Sequence, residues 1–201
     1  MVRETLRSDF EALKNDFETI RKNIESDIVR TELYKGEYYE LTPYSYQRNG
    51  FKRGRPVKHP DSVKSTKNLC SYGFNSQNQI VEVKIGCTVE NQFYHTFLYY
   101  TDNLVKSILF DNGKRLMNVC HYYFNEGKLA RMLLCGIYGS REENYIYKGD
   151  VLTHVEIKQC DIEGNSSSDL VHIFQYLDDG TLGTITKSFP NGYSEIIWKL
   201  K

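Results

Sequence analysis

Apolar and polar positions follow two different rhythms along this chain. Between Val2 and Ile28 the apolar residues Leu6, Phe10, Leu13, Phe17, Ile20 and Ile24 recur in steps of three or four, the spacing that lines one stripe of an α-helix. Glu4 and Asp9 suit the positive end of a helix dipole, Glu18 and Lys22 stand four apart, and Gly36 supplies a stop. The pattern predicts one N-terminal amphipathic helix; roughly 28 residues of it would be about 42 Å long. Its step is too long for a well-specified left-handed coiled coil. The stripe is therefore expected along a face or edge of a sheet, with self-association or a partner's groove as the alternative.

From Leu69 onward the rhythm shortens. A phrase returns five times: an aromatic, any residue, an aromatic, a polar turn, then two aliphatics three apart. The copies are Tyr72-x-Phe74 with Ile80 and Val83, Leu98-x-Tyr100 with Val105 and Ile108, Tyr122-x-Phe124 with Leu129 and Met132, Tyr145-x-Tyr147 with Leu152 and Val155, and Phe174-x-Tyr176 with Leu182 and Ile185. Leu98 is the one non-aromatic opener. A repeat this short specifies a β-hairpin. Aromatics two apart share a strand face, so successive hairpins predict a ladder of cross-strand aromatic pairs. Accumulated twist argues against a long flat sheet. The predicted fold class is mainly β: a long curled antiparallel β-meander of hairpin repeats with one N-terminal α-helix.

Asp111-Asn112-Gly113 and Pro190-Asn191-Gly192 are the clearest turn signals, because Asn-Gly supplies positive φ for a tight hairpin. The segment 37–67 is mixed. Tyr38-Tyr39-Glu40-Leu41 and Tyr44-Ser45-Tyr46 read as strand, Asn49-Gly50 reads as the turn of a decayed sixth copy, and residues 52–67, with Pro56 and Pro60, read as an exposed loop. A serine-bearing break at 161–169 is a second exposed loop. The organisation expected is a helix at 1–36, a strand-like segment and basic loop at 37–67, and the meander at 68–201.

The chain has 201 residues, enough for one domain with a core. Lys and Arg number 26, as do Asp and Glu, so no global field favours nucleic acid or an anionic membrane. Any electrostatic recognition must be local. Five cysteines, Cys70, Cys87, Cys120, Cys135 and Cys160, form no CxxC pair and read as reduced core residues. With no signal peptide or long apolar run, the expected compartment is cytoplasmic.

The stretch from Tyr122-Tyr123-Phe124-Asn125-Glu126-Gly127-Lys128-Leu129 to Met132, with Tyr145-Ile146-Tyr147-Lys148-Gly149-Asp150-Val151-Leu152 behind it, resembles the YD repeats of bacterial Rhs proteins and teneurins. It is also similar to MORN-like β-meanders of some bacterial antitoxin and immunity proteins. The likeness covers residues 69–187. The chain is too short for the shell of YD proteins, lacks their regular Asp after the second aromatic, and begins with a helix. The resemblance implies a small bacterial protein that binds and blocks a toxin and needs no catalytic residues.

The sharpest local motif is Arg53-Gly54-Arg55-Pro56, flanked by Arg48, Lys52, Lys58 and His59. It looks like an AT-hook core, in which Gly admits close approach to the minor groove and the arginines read its negative potential. A solvated basic loop, or a contact for an acidic protein surface, explains the same residues. None of the five histidines stands at metal-ligand spacing. The couples Glu142-Glu143, Asp178-Asp179 and Asp161/Glu163 lie at expected turns or strand ends, where solvated carboxylates are ordinary. No catalytic, metal or cofactor residue is assigned. The expected function is a non-enzymatic protein-binding module, in its most specific form an immunity-type toxin inhibitor, with Arg48, Lys52, Arg53, Arg55 and Lys58 as partner-binding residues. The alternatives are a DNA-associated module acting through the same loop, and a small-ligand or hydrolytic site in the concave face of the sheet.

Overall fold

The computed structural model describes residues 2–167 and 169–200, with backbone alone at Val2, Arg3, Glu4 and Ser62. The side chains of Val2 and Glu4 in the expected helix, and Ser168 of the serine-bearing loop, lie outside the described residues. Helices α1 (Val2–Ala12) and α2 (Phe17–Asp27) precede strand β1 (Arg30–Lys35), a short helix α3 (Ser45–Asn49), a two-residue strand β2 (Arg55–Pro56) and a 3-10 turn at Pro60–Ser62. The rest is strand after strand: β3 (Leu69–Phe74), β4 (Ile80–Gly86), β5 (Phe93–Thr101), β6 (Leu104–Phe110), β7 (Leu116–Asn125), β8 (Lys128–Gly136), β9 (Gly139–Lys148), β10 (Val151–Cys160), β11 (Leu170–Tyr176), β12 (Leu182–Ser188) and β13 (Ser194–Lys199). They form one sheet in the order β13-β12-β11-β10-β9-β8-β7-β6-β5-β4-β3-β1-β2.

Each of the five phrases spans one hairpin, with its aromatics on the outgoing strand and its aliphatics on the return. The second aromatic has a further role. Tyr100 donates its hydroxyl to the Ile80 carbonyl at 2.8 Å, Tyr147 to Leu129 at 3.1 Å and Tyr176 to Leu152 at 2.8 Å. In every case the acceptor is the first aliphatic of the preceding phrase. The register slips beside two of these acceptors, between Gly73 and Phe74, which faces Ile80, and between Leu152 and His154 on β10, and such bulges leave ladder groups in need of other partners.

Four expectations change. The curled meander gives way to an open one, its order ending on β13 at one side and β2 at the other; the sheet faces find cover locally, so burial does not require closure. The single long helix breaks at residues 13–16, where Asp16 leads into α2 and accepts the Ile20 N–H at 2.9 Å. A helix of about 42 Å would overrun a strand of six or seven residues, about 20–24 Å, whereas two short helices each fit. Residues 30–35, assigned to the helix by sequence, are β1 paired to β3. Glu18 meets Arg21 and Lys114 rather than Lys22.

The Asn-Gly turns also differ from expectation. At Asp111–Arg115 and Phe189–Tyr193 the first N–H donates to the fifth carbonyl and the fourth N–H to the first carbonyl, giving three-residue loops with the left-handed residue fourth: Lys114 (φ 64°) and Gly192 (φ 84°). The same loop recurs at 75–79, 161–165 and 177–181. Among the described residues, only Glu126-Gly127, with φ of 50° and 76°, has the paired positive angles of a two-residue turn.

The chain divides into two compact units. One comprises Met1–Tyr39, Arg53–His121 and Cys135–Ile137; the other Glu40–Lys52, Tyr122–Leu134 and Tyr138–Lys201. In the first, the helix stripe packs on the sheet: Leu6, Phe10, Phe17, Ile20 and Ile24 are buried, and Phe17 meets Phe97 and Phe110 at ring separations of 5.9 and 5.2 Å. Lys106 anchors Asp9 of α1 at 2.9 Å. Ile28 lies over Gly73, where a Cβ would come within 2.6 Å of its Cδ1. On the other face Tyr38 and Tyr39 cover a core of Tyr34, Cys70, Tyr72 and Phe74. Burial pushes the Cys70 thiol up to about 12, so it stays protonated as a core residue. In the second unit, Leu152, Val155, Ile157, Phe174, Leu182 and Ile185 are buried, and α3 packs against β13.

The hydroxyl ties are separable from the bulk of the rings. Tyr100→Phe and Tyr176→Phe should each lower unfolding free energy by about 1–2 kcal/mol, the range for orphaning a buried acceptor, with unchanged far-UV circular dichroism. Urea denaturation of each variant against wild type measures this.

Candidate functional site

The five basic residues singled out by sequence do not act as one free arm. Arg53, Arg55 and Lys58 belong to the first unit, Arg48 and Lys52 to the second. Arg53 is held by the fold: its guanidinium lies 3.9 Å from the Tyr38 ring centroid and its Nε–H donates to the Tyr38 carbonyl at 3.1 Å, while Tyr34 stacks on the same ring at 4.2 Å. Gly54 gives close approach not to a nucleic acid groove but to Gly36, for a Cβ on it would stand 2.2 Å from the Gly36 carbonyl oxygen. Arg55 and Pro56 pair with Lys35 and Tyr34 as edge strand β2. The Arg-Gly-Arg-Pro motif is thus an intramolecular clasp. Lys52, Arg53, Arg55 and Lys58 are all exposed, and their charges reach solvent from this clasp.

Arg48 is a different case. Residues 44–46 are not strand, and Asn49-Gly50 is not a hairpin turn. Ser45–Asn49 is α3, with Gly50 left-handed (φ 70°) as its C-cap and Glu40 accepting the Tyr46 N–H at 3.0 Å at its start. The segment Glu40–Lys52 lies over the sheet face of its unit and presents Tyr44, Tyr46 and Arg48 to it. Tyr44 meets Phe174 at 5.4 Å, and Tyr46 is buried. Arg48 is almost fully enclosed, 5% exposed, against Glu143 at 3%.

The alternation of β9 brings Glu143 and Tyr145 to one face, and pairing through Val155 sets His172 of β11 beside them. Arg48 donates from Nη2 to Glu143 Oε2 at 2.9 Å, from Nε to His172 Nδ1 at 3.1 Å and from Nη1 to the Tyr145 hydroxyl at 3.5 Å. Tyr145 donates to Glu143 Oε2 at 2.6 Å, and Arg141 donates from Nε to the other carboxylate oxygen at 2.7 Å. Burial alone would raise the Glu143 pKa, but Arg48, Arg141 and the Tyr145 hydroxyl outweigh it and hold the carboxyl below its usual range. Burial, reinforced by the Arg48 charge, brings His172 down to about 4. It is neutral, with Nδ1 as acceptor and the proton on Nε2. Burial and the Glu143 charge push the Tyr145 phenol up. The group is ordered, paired and neutral overall at its centre.

Sequence reasoning missed this assembly because Glu142-Glu143 was read as a solvated couple at a strand end. The two carboxylates sit mid-strand and face opposite ways, Glu142 pairing with Arg131 at 2.8 Å. Glu142 reaches the more open face and Glu143 the core. The signal was present in the repeat: Glu143 precedes the phrase aromatic Tyr145 by two positions and so shares its buried face. Other histidines also find carboxylates, His95 Nδ1 with Glu82 at 3.4 Å and His121 Nε2 with Asp9 at 3.3 Å. Asp161 and Asp179 accept local backbone N–H groups in turns. Among the described residues no group of three or more His, Cys, Asp or Glu is arranged to hold a metal ion.

One end of the second unit carries a second feature. Antiparallel alternation brings the starts of β9, β11 and β13 to the same end as the finishes of β10 and β12. There Tyr138 is 81% exposed, Ile162 64% and Tyr193 57%. Phe189 supports Tyr193 at a ring separation of 5.5 Å. The loop 161–169 carries Asp161, Glu163 and Asp169 with no Lys or Arg, and hydrogen bonds from Asn165 hold the Asp161 carboxyl below its ordinary range. No family model, curated protein or solved structure matches the chain.

Two results should follow from the buried group. Arg48→Ala leaves Glu143 enclosed without its main partner and should cost about 3–5 kcal/mol of stability, whereas Lys58→Ala should cost under about 0.5 kcal/mol; thermal and urea unfolding compare them. Because His172 is depressed from 6.5 to about 4 in the folded state, the unfolded chain binds its proton first. Its contribution is complete above pH 6.5, falls by about 1.4 kcal/mol per pH unit as pH drops toward 4, and is lost below that. Glu143, also depressed, adds loss in the same direction below its ordinary pKa of 4.5. His172→Gln, which keeps an acceptor for Arg48, should flatten the stability profile between those limits.

Proposed function

We propose that this protein is a non-enzymatic protein-binding module that docks its partner on the loop end of the second unit. The observation carrying this reading is the exposure of Tyr138, Ile162 and Tyr193, at 81%, 64% and 57%, on successive connections at one end of a sheet. Neighbouring strands lie about 4.8 Å apart, so these side chains spread across about 20 Å, the scale of a specific protein contact. Large apolar anchors among Ser, Gly and Asn, supported by a rigid scaffold, are the composition of adaptable binding loops. Three carboxylates without a cation in loop 161–169 favour a partner with a basic surface and disfavour nucleic acid.

In its most specific form the module is an immunity-type inhibitor of a bacterial toxin, acting in the cytoplasm. That form rests on the likeness of the aromatic phrase to repeats in YD and MORN-like proteins. Among the described residues no helix is long and apolar enough to cross a membrane. The exposed charges Lys52, Arg55 and Lys58 offer the alternative contact for an acidic partner.

The test is co-purification with, and protection against, a toxin encoded beside the gene. Tyr138→Ala/Ile162→Ser/Tyr193→Ala should weaken binding at least about tenfold, as loss of interface anchors does, with an unchanged unfolding midpoint. Lys52→Ala/Arg55→Ala/Lys58→Ala should leave binding intact. The opposite pattern would move the site to the basic loop, and absence of binding and protection would dispose of the immunity assignment.

A further inference from the structure

The Glu143, Tyr145 and His172 side chains do more than neutralise a lysine-like charge. They meet a guanidinium at three of its nitrogens: the carboxylate at Nη2, the phenol at Nη1 and the imidazole at Nε, at 2.9, 3.5 and 3.1 Å. An ammonium is a point donor and could not reach the three acceptors together, whereas the planar fork of arginine presents its donors in these directions. The acceptors are themselves set in place. Tyr145 and Arg141 fix the two oxygens of Glu143 at 2.6 and 2.7 Å, and all three side chains project from paired strands. The preorganised part of the assembly is the sheet; the guanidinium is brought to it.

What brings it is a short strap. Its α3 has five residues. Tyr44, at the helix entrance, takes the left-handed backbone conformation with φ 57°, uncommon and mildly costly for a bulky side chain. Leu41 and Phe51, at the two ends of the strap, are 37% and 64% exposed. Arg141, which closes the outer side of Glu143, is itself about one-third exposed, at 32%, so the carboxylate lies one side chain from solvent.

We propose that the Glu143–Tyr145–His172 cradle is a receptor site for an arginine side chain, that Arg48 is its built-in occupant, and that the Glu40–Lys52 strap is a lid whose lifting admits an arginine from a partner peptide or protein. The closed state protects the carboxylate from an uncompensated charge. Exchange of one guanidinium for another keeps every hydrogen bond of the cradle and releases the Tyr44 strain. The ligand class is an exposed arginine in an extended peptide, recognised by its guanidinium. This site is distinct from the loop-end surface and does not depend on it.

The test uses the full chain with Arg48→Ala and two probes, acetyl-Gly-Arg-Gly-amide and acetyl-Gly-Lys-Gly-amide. The arginine peptide should bind saturably and raise the unfolding midpoint of Arg48→Ala; the lysine peptide should not, and Arg48→Ala/Glu143→Gln should lose the response. Equal responses to both peptides, or none, would overturn the receptor. Should Arg48→Ala fail to fold unaided, its refolding yield in methylguanidinium against methylammonium, at millimolar concentration, becomes the measurement: selective recovery supports the cradle and no recovery overturns it. In wild type, the arginine peptide should speed hydrogen exchange of the strap amides at 44–51. Unchanged exchange there overturns the lid.

Discussion

A meander of hairpins has a weak point built into its backbone: each turn or bulge leaves carbonyls that the next ladder does not reach. In this protein the second aromatic of the following hairpin meets that need. Tyr100, Tyr147 and Tyr176 each reach back one phrase to a carbonyl at Ile80, Leu129 and Leu152. One side chain thereby does two jobs, filling the aromatic stripe and locking the register between neighbouring hairpins. A one-residue slip would send the ring to the opposite face and orphan the carbonyl at once. The repeat is conspicuous in the sequence because this double requirement tolerates few residues.

The second constraint is electrostatic. Glu143 sits where the repeat places core residues, and enclosure of a carboxylate is costly unless paired and hydrogen-bonded. Arg48 comes from a segment about 95 residues away in sequence, so the ion pair commits the strap to one position over its sheet. Tyr145 and His172 complete the arrangement by using donors and acceptors that apolar residues would lack. A methionine and leucine in place of the pair would pack as well, but would not distinguish one seating of the strap from another.

The strand content of the fold was legible because a period of two and a short turn leave little freedom; all five phrases fall on hairpins. The helix stripe was legible too, although its break was not, since nothing in the periodicity of residues 2–28 registers the length of the strands beneath it. β1 was hidden inside the tail of that pattern. The Arg-Gly-Arg-Pro motif was read for the ligand it resembles, yet its glycine faces Gly36 and its first arginine faces Tyr38. Those partners lie 15 to 18 residues upstream, with no periodic relation to the motif. The cradle and the arginine it holds come from three distant segments and therefore leave no local trace beyond the shared face of Glu143 and Tyr145.

Phe124 stands where Tyr100, Tyr147 and Tyr176 stand in their phrases, and it has no hydroxyl to give. Its phrase begins at Tyr122, the first residue of a stretch of the second unit that runs to Leu134. The position that carries the tie in three other phrases is an apolar ring in this one. In evolutionary terms the two jobs of the second aromatic are separable: its ring recurs in all five phrases, whereas its hydroxyl is present in three.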